Sequence, residues 1–539
     1  MLSNQAREAE VLVIGGGPAG TTAATLLARD NRTVVLFERA KFPRDHIGES
    51  LLPASVPILE ALGVMPEVRA AGFLPKFGAT MVWGTSREPW SWYFRETNRQ
   101  YPHSYQVWRP QFDKILLENA RSAGVDVREG SRVLEVLFDG DRATGVRVSG
   151  GDGDETWHGN YVVDASGQEG IIGRALGLRE MDEHFQNLAL FAYFEGAQRL
   201  PPPDETNILV ESYEHGWAWV IPLHTGWTSV GFVMDRQFAQ EAISDAGADA
   251  TFHDQMAATA KTHELLRSGR LVSGPHIVRD WSYVSRKVAG DGWALSGDAA
   301  CFIDPLFSTG VHLALSSGAM VAALVKSSLQ DPTIAAPAGD VYQDLYLHQY
   351  GLFRELARLF YASNRTVDSY FWEARRILGE EDMLPREAFI RAAAGQPPRG
   401  YERVVIERGI APPDIVQGVR AVEQDRAGRQ QEIAAIGGEI ANRVPVLLAG
   451  TSVQRKPVLA DGEFTWGYVI NGPGRPNVPV SEVVAALLAK ADGSRSISAI
   501  VKTISEEQSA KEQQTVLQIA CQAFGILYAD GIVLKLRNR

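Results

Sequence analysis

The chain has 539 residues, 53 of them Lys or Arg and 65 Asp or Glu, for a net charge of -12, and it carries only two cysteines, Cys301 and Cys521. That length allows two to four domains with a sizeable core. The acidity offers nothing to nucleic acid or an anionic membrane as a main partner, and two thiols cannot build a disulfide framework or a multi-cysteine metal site. No signal-peptide pattern and no uninterrupted apolar stretch of membrane-spanning length is seen, so a cytoplasmic protein with no metal centre is expected.

From the N-terminus, Val11 to Ile14 reads as a buried parallel strand, and Gly15, Gly17 and Gly20 give the G-x-G-x-x-G spacing at a turn into a helix that opens Pro18-Ala19. Gly15 permits the tight turn, Gly17 lets backbone approach a pyrophosphate, and Gly20 allows close helix-on-strand packing, with helix N–H groups aimed at the anion. A second strand, Thr33 to Phe37, ends in Glu38 and then Arg39. A carboxylate at this distance accepts hydrogen bonds from a ribose diol, the alternative being a turn cap. The pattern predicts dinucleotide binding.

The loop Lys41 to Pro53, with Arg44, His46, Gly48, Glu49 and Ser50, is rich in turn formers and unlike an ordinary strand-to-helix connection. A helix following Arg109 is expected to end near Ser122, and strands around Val133 to Leu137 and Gly145 to Val148 follow. Tyr161 to Asp164 is a strand running into the turn Asp164-Ala-Ser-Gly167, and alternating runs over 188–235 predict an antiparallel sheet of the kind that floors a substrate site. Gly297-Asp298 returns to the nucleotide fold. His46 and His312 show no legible acid–base partner and read as hydrogen-bonding residues; Cys301 reads as a small buried hydrophobe.

Tyr342 to Leu448 has helical periodicity without a convincing strand pattern and is expected to pack on the core. After Gly450 a turn-rich stretch precedes three helices, Ser481 to Lys490, Ile497 to Ile504 and Thr515 to Tyr528, then a short strand from Ile532 to Leu536. Ser481 suits the N-cap of the first. The order resembles a winged-helix module. The expected fold is therefore α/β: a Rossmann-like core over 1–350, a helical region over 351–450 and a winged-helix-like module over 451–539.

The glycine loop with Glu38, the Asp164 turn and Gly297-Asp298 together resemble the motif set of single-component flavin monooxygenases, which implies FAD as the nucleotide and places Asp298 on its ribityl and phosphate region. Gly216-Trp217-Ala-Trp219-Val-Ile221-Pro222 matches the W-x-W-x-I-P motif of flavin-dependent halogenases, and Lys76, in Leu-Pro-Lys-Phe-Gly-Ala, stands where that family keeps its catalytic lysine. The segments Pro43 to Ser50 and Asp304-Pro-Leu-Phe307-Ser308-Thr309-Gly310 also resemble halogenase segments. On these motifs residues 1 to about 350 are identified as a member of that family.

The resemblance assigns Gly15, Gly17, Pro18, Ala19, Gly20, Glu38 and Arg39 to FAD, together with Arg44, Gly48, Glu49, Ser50, Arg109, Val133, Asp298 and Asp304. It implies that FADH2, oxygen and chloride yield hypochlorous acid. Lys76 then either hydrogen-bonds that acid or forms a chloramine, and so passes chlorine to an arene. Ser308, Thr309 and Gly310, at the start of a helix, form the implied halide site. Trp217 and Trp219, with Ile221, Pro222 and Phe307, form a gate between flavin and substrate, although buried packing explains the tryptophans as well.

Tryptophan halogenases carry a glutamate where this chain has Phe307, so a self-activating substrate, a phenol or pyrrole, is expected. The arene is free or tethered to an acyl or peptidyl carrier protein, and a separate flavin reductase supplies FADH2. The alternatives are an FAD-dependent aromatic hydroxylase and a geranylgeranyl-reductase-like flavoenzyme.

Overall fold

The computed structural model describes residues 7–83, 87–150, 153–362, 390, 393–394, 427–472, 475–506 and 508–538. They fall into two compact units, the larger built mainly on the residues up to 362 and the smaller on those from 427 onward, apart from the turn 461–463.

The larger unit contains two eight-stranded sheets. In the first, strand Arg7–Ile14 lies between Val34–Glu38 and Gly153–Asp164, parallel to both, and Trp293–Leu295 and Asp126–Glu129 extend it on either side. Val11, Leu12, Val13, Val162, Val163, Leu36, Ala294 and Leu295 are fully buried, as expected of parallel strands covered on both faces. Arg132–Asp139 and Arg142–Gly150 hang antiparallel from Gly153–Asp164.

The second sheet runs in the order Cys301–Phe302, Arg270–Ser285, Arg179–Glu195, Trp227–Asp235, Gly216–Pro222, Ile208–Tyr213, Gly78–Val82, Trp90–Tyr93. It is wider than the 188–235 floor expected from sequence, because Gly78–Val82 pairs parallel with Ile208–Tyr213 across a long sequence separation. Alternation gives its two faces different tasks. Leu190, Ala192, Phe194, Ala218, Val220 and Phe232 point to one side, where they pack with Ala239, Phe252 and Leu265 of the helices Arg236–Ala246, Ala248–Ala258 and Ala260–Leu266. The intervening positions, Phe191, Tyr193, Trp217, Trp219 and Ile221, point to the other.

Two helices brace the nucleotide sheet. Gly310–Gln330 is long and apolar enough to cross a membrane by length and composition, contrary to the expectation that no such stretch exists, but 72% of that window is buried inside the protein. Helix Ala335–Ala362 buries Tyr342, Tyr346, Tyr350, Phe353, Ala357 and Phe360 along one face. Tyr342 Oη donates to Leu295 O (2.7 Å) and Tyr346 Oη to Gly297 O (3.2 Å). This helix runs continuously through position 350, so the boundary set there falls inside one element whose buried face belongs to the core. Much of the expected helical region, 363–389 and 395–426, lies outside the described residues.

In the smaller unit the helices are Glu482–Ala489, Ile497–Ile504 and Ala510–Ala529, N-capped by Ser481, Ser496 and Ser509, whose side chains accept from the backbone N–H three residues on. Strand Val533–Arg537 pairs with Val444–Leu447, a strand that the helical reading of that stretch overlooked. The stretch read as turn-rich is a strand instead: Ser452–Ala460, Glu463–Gly472 and Arg475–Val480 form a three-stranded sheet. Asp461 (φ 49°) and Gly462 (φ 77°) make the first connection, two positive-φ residues of the Asp-Gly hairpin type.

Candidate active site

The glycine turn is built for close approach. Gly15 sits at φ 104°, and a Cβ there would lie 2.3 Å from Ala165 O; a Cβ on Gly20 would lie 2.0 Å from Gly15 O, so the helix touches its strand backbone to backbone. At Gly17 a Cβ would meet only Arg44 Nη2, at 3.5 Å. That opening lies at the N-terminus of helix Pro18–Arg29, which has no side-chain cap, and the Nε of Arg44 is a buried donor with no partner. An uncapped helix start beside a guanidinium whose Nη2 pairs with Asp113 (3.5 Å) and whose Nε has no partner fits a pyrophosphate. Glu38 accepts from Gly16 N (2.8 Å) and Ala40 N (2.8 Å), so it closes the turn and still presents carboxylate lone pairs. Ser131 N donates to Glu38 O (2.9 Å), which brings Val133 close by, while Arg39 is exposed and ion-paired with Glu169 (2.8 Å).

The loop carrying Gly48, Glu49 and Ser50 is clipped to strand Ser104–Gln106 and the residue after it. Val107 N donates to Glu49 O (2.7 Å), Leu51 N donates to Tyr105 O (3.0 Å), and Ser50 bridges Gln106. Arg109 lies beneath. It was expected to bind FAD; its Nε and Nη2 donate to Asp113 (2.7 and 2.9 Å) and its Nη1 to Ile47 O and Gly48 O (2.6 and 3.3 Å). Four of its five N–H donors are thus used in shaping the loop, which leaves one Nη2 hydrogen without a bond partner among the described residues. Glu49 is buried, accepts from Tyr193 Oη (2.8 Å) through one oxygen, and leaves the other without a partner. Burial pushes its pKa up to about 7.

Asp298 ends the nucleotide sheet, with its neighbour Gly297 at φ 61°. No hydrogen bond to its carboxylate exists among the described residues, and desolvation pushes its pKa up to about 6, eased by Arg109 and Arg179. It is an acceptor without a donor, which fits a polyol chain. Asp304 differs. One of its carboxylate oxygens accepts from Leu306 N (3.0 Å) and the other from Asn187 Nδ2 (3.0 Å) and Tyr361 Oη (2.5 Å), so Asp304 caps the turn Pro305–Phe307.

Lys76 lies on strand Leu74–Lys76, paired opposite Ser104. It is 2% exposed, its ammonium lies 5.6 Å from the Phe94 ring centroid, and its Nζ lies 3.5 Å from Ser308 Oγ. No carboxylate pairs with it among the described residues, and desolvation alone pushes its pKa down to about 7. Two segments 232 residues apart thus meet at the lysine. Ser308 is left-handed (φ 60°), Thr309 is the N-cap of Gly310–Gln330, and the Thr309 hydroxyl is buried without a partner. These donors at a helix start suit a small anion.

Trp217 and Trp219 face the same side, with centroids 6.0 Å apart; Trp219 covers Gly231, where a Cβ would lie 2.2 Å from its ring. Pro222, expected in the gate, alternates onto the face of Ala218 and Val220 and lines a small recess with Leu200, Leu209 and Leu265. Its place there is a core position. Phe307 packs edge-on against Phe360 (4.9 Å), which packs against Trp83 (5.6 Å). Phe360 and Tyr361, as well as Asn187 and Tyr193, were missed from sequence. The aromatic spacing over 342–360 was the available signal for Phe360.

A Rossmann-like sheet with an FAD-type cradle, covered by an antiparallel sheet that closes a buried lysine against a helix start, defines a flavoprotein of the monooxygenase type. The family model described as "Tryptophan halogenase" matches residues 10–102 and 95–401, and the chain belongs to this family of flavin-dependent halogenases. Its relatives include a protein named "Tryptophan 2-halogenase" from Chondromyces crocatus, 38% identical over 377 residues, covering 69% of this chain and 71% of that one. Another, "1H-pyrrole-2-carbonyl-[peptidyl-carrier protein] chlorinase" from Pseudomonas fluorescens, is 30% identical over 403 residues, 70% of this chain and 89% of the other. The solved structure of CmlS, described as a flavin-dependent halogenase, superposes with TM-score 0.70 at 28% identity, covering 96% of each chain. The chain is thus an enzyme that uses FAD, as FADH2, with chloride.

Proposed function

We propose that this halogenase chlorinates an electron-rich, phenolic arene, free or tethered to an acyl or peptidyl carrier protein, in the cytoplasm, with FADH2 supplied by a separate flavin reductase. When bound, FADH2 would activate oxygen, and O2 would be the oxidant that converts chloride to hypochlorous acid while the flavin ends as FAD and the second oxygen atom leaves as water. The chain's own residues do the rest. Gly15, Gly17, Pro18, Ala19, Gly20, Arg44 and Glu38 hold the dinucleotide, with Arg39 and Val133 toward its adenosine end, and Asp298 with Gly48, Glu49 and Ser50 toward its ring. Ser308, Thr309 and Gly310 take the halide. The neutral Lys76 amine exchanges an N–H proton for the chlorine of hypochlorous acid with loss of water, and the arene then takes that chlorine as its C–H proton returns to the amine, while Trp217, Trp219, Ile221 and Phe307 separate the two halves of the reaction.

The observation that carries this reading is the Lys76 amine: buried, unpaired and 3.5 Å from Ser308. An ammonium at the surface would be protonated and solvated; here desolvation favours the neutral nucleophile. The name of the Chondromyces relative favours tryptophan as substrate; what favours a phenol is that Phe307 is an apolar residue in an aromatic cluster and offers no carboxylate to a cationic arenium intermediate. The pyrrole-carrier chlorinase supports tethered delivery. The test is an incubation with reduced FAD, oxygen and chloride against phenols, carrier-bound phenols and tryptophan, with products read by mass spectrometry for the chlorine isotope pattern. Hydroxylated products without chlorine would overturn the proposal.

A further inference from the structure

We propose that Tyr361 is a positioning residue of the halide site, whose hydroxyl ties the Trp217 indole to the Asp304 carboxylate and so holds the halide turn and the tryptophan wall in one register. The inference rests on the reading that Ser308, Thr309 and Gly310 take the halide. Tyr361 lies in the last turn of helix Ala335–Ala362. Its hydroxyl donates to Asp304 Oδ2 (2.5 Å) and accepts from Trp217 Nε1 (2.6 Å) and Asn187 Nδ2 (3.0 Å), which uses the one proton and both lone pairs of a phenol. Its ring packs edge-on against Phe185 at 5.3 Å.

What the hydroxyl acts through is Asp304. This carboxylate is 2% exposed, accepts from Leu306 N (3.0 Å) and begins the turn that ends in left-handed Ser308, while Asp304 N donates to Ser282 Oγ (3.0 Å). A buried negative charge four residues before Ser308 repels a chloride there, unless donors on its far side take up the charge. Tyr361 and Asn187 are those donors. They let the turn use a strong acidic cap without spoiling the anion site that the cap creates. The same phenol receives the Trp217 N–H, so a shift of the halide turn is felt at the tryptophan.

The experiment compares wild type, Tyr361→Phe, Asp304→Asn and the double variant, with Thr309→Val as an independent check on the halide site. Phenylalanine keeps the Phe185 contact and loses only the hydroxyl. The readouts are FAD loading, the chloride KM and kcat for hypochlorous acid trapped by a small amine, and the rise of the unfolding midpoint with chloride in the flavin-free chain. Expected for Tyr361→Phe are a chloride KM raised by about tenfold or more, kcat at saturating chloride within about twofold, unchanged FAD loading and a lost chloride-dependent stabilisation. Asp304→Asn keeps a side-chain cap and removes the charge, so the double variant regains the chloride KM of Asp304→Asn alone. An unchanged chloride KM in Tyr361→Phe, or a KM rise that adds in full to that of Asp304→Asn, overturns the proposal. If Thr309→Val also leaves the chloride KM unchanged, it is the halide reading that has failed; if Thr309→Val raises it, the failure belongs to Tyr361 alone.

Discussion

Lys76 is held in a form that costs the fold something. An amine with a pKa near 10.5 in the unfolded chain and about 7 in place means that folding releases a proton between those two values, so wild-type stability rises with pH across that window. Below pH 7 the penalty is complete; above 10.5 it is gone. Lys76→Met, an apolar side chain of similar length, should therefore unfold at a higher temperature than wild type at pH 7, with the gain shrinking toward pH 10.5, as calorimetry on the flavin-free chain can measure. The gain marks a residue kept for chemistry. Lys76→Ala should cut arene chlorination by at least about a hundredfold while FAD loading and oxygen consumption by the reduced flavin stay near wild type, because a group used only in the chemical step leaves ground-state binding intact. Lys76→Arg should fail equally, since a guanidinium stays protonated. With the neutral amine as the acting form, wild-type chlorination rises with pH through about 7; a fall across that range would assign the ammonium as a hydrogen-bond donor instead. Near-normal chlorination by Lys76→Ala at equal flavin loading would remove the lysine from the reaction.

At the scale of elements, the proposed function divides the work of holding anions between the two turns that open helices. At the glycine turn, Gly17→Val should abolish retention of FAD on gel filtration, because the side chain would fill the opening in front of Arg44; the fold itself should survive, since only a flexible guanidinium end lies within 4 Å of a Cβ there. At the Asp304–Gly310 turn, the aromatic packing of Phe307 predicts that phenols are chlorinated ortho or para to the hydroxyl, where the ring is most nucleophilic. Free tryptophan should turn over more slowly than every phenol in a competition assay, and the reverse order would refute the inference from Phe307. These turns were readable in the sequence because glycine and helix-start chemistry act over a few residues. The partners that lock them were not. Tyr361 reaches Asp304 from 57 residues away, and Asn187 reaches it from 117. Nothing local distinguishes a tyrosine or asparagine that folding brings to such a carboxylate. Arg109 and Asp304 make a related point: sequence shows a charge, and only the fold shows which of its hydrogen bonds the protein itself uses. Pro222 failed on parity alone, since a motif read as a block places neighbouring residues together whereas a strand sends them to opposite faces.

For the whole molecule the question is where the electrons enter. The chain carries one G-x-G-x-x-G turn after a parallel strand, and among the described residues the parallel strands belong to the sheet that this turn serves, apart from the pairing of Gly78–Val82 with Ile208–Tyr213. The separate-reductase proposal rests on there being no second glycine turn of this kind in the sequence to cradle a nicotinamide dinucleotide. The covering sheet places the bulky side chains of Trp217, Trp219 and Ile221 on the face opposite its packed helices. The single glycine turn supports the proposal that the chain receives flavin that is already reduced. The purified protein loaded with oxidised FAD and mixed anaerobically with NADPH should keep its flavin absorbance near 450 nm for hours, and a catalytic amount of a free flavin reductase with excess FAD should restore chlorination. Rapid bleaching by NADPH without a partner would refute the separate-reductase proposal.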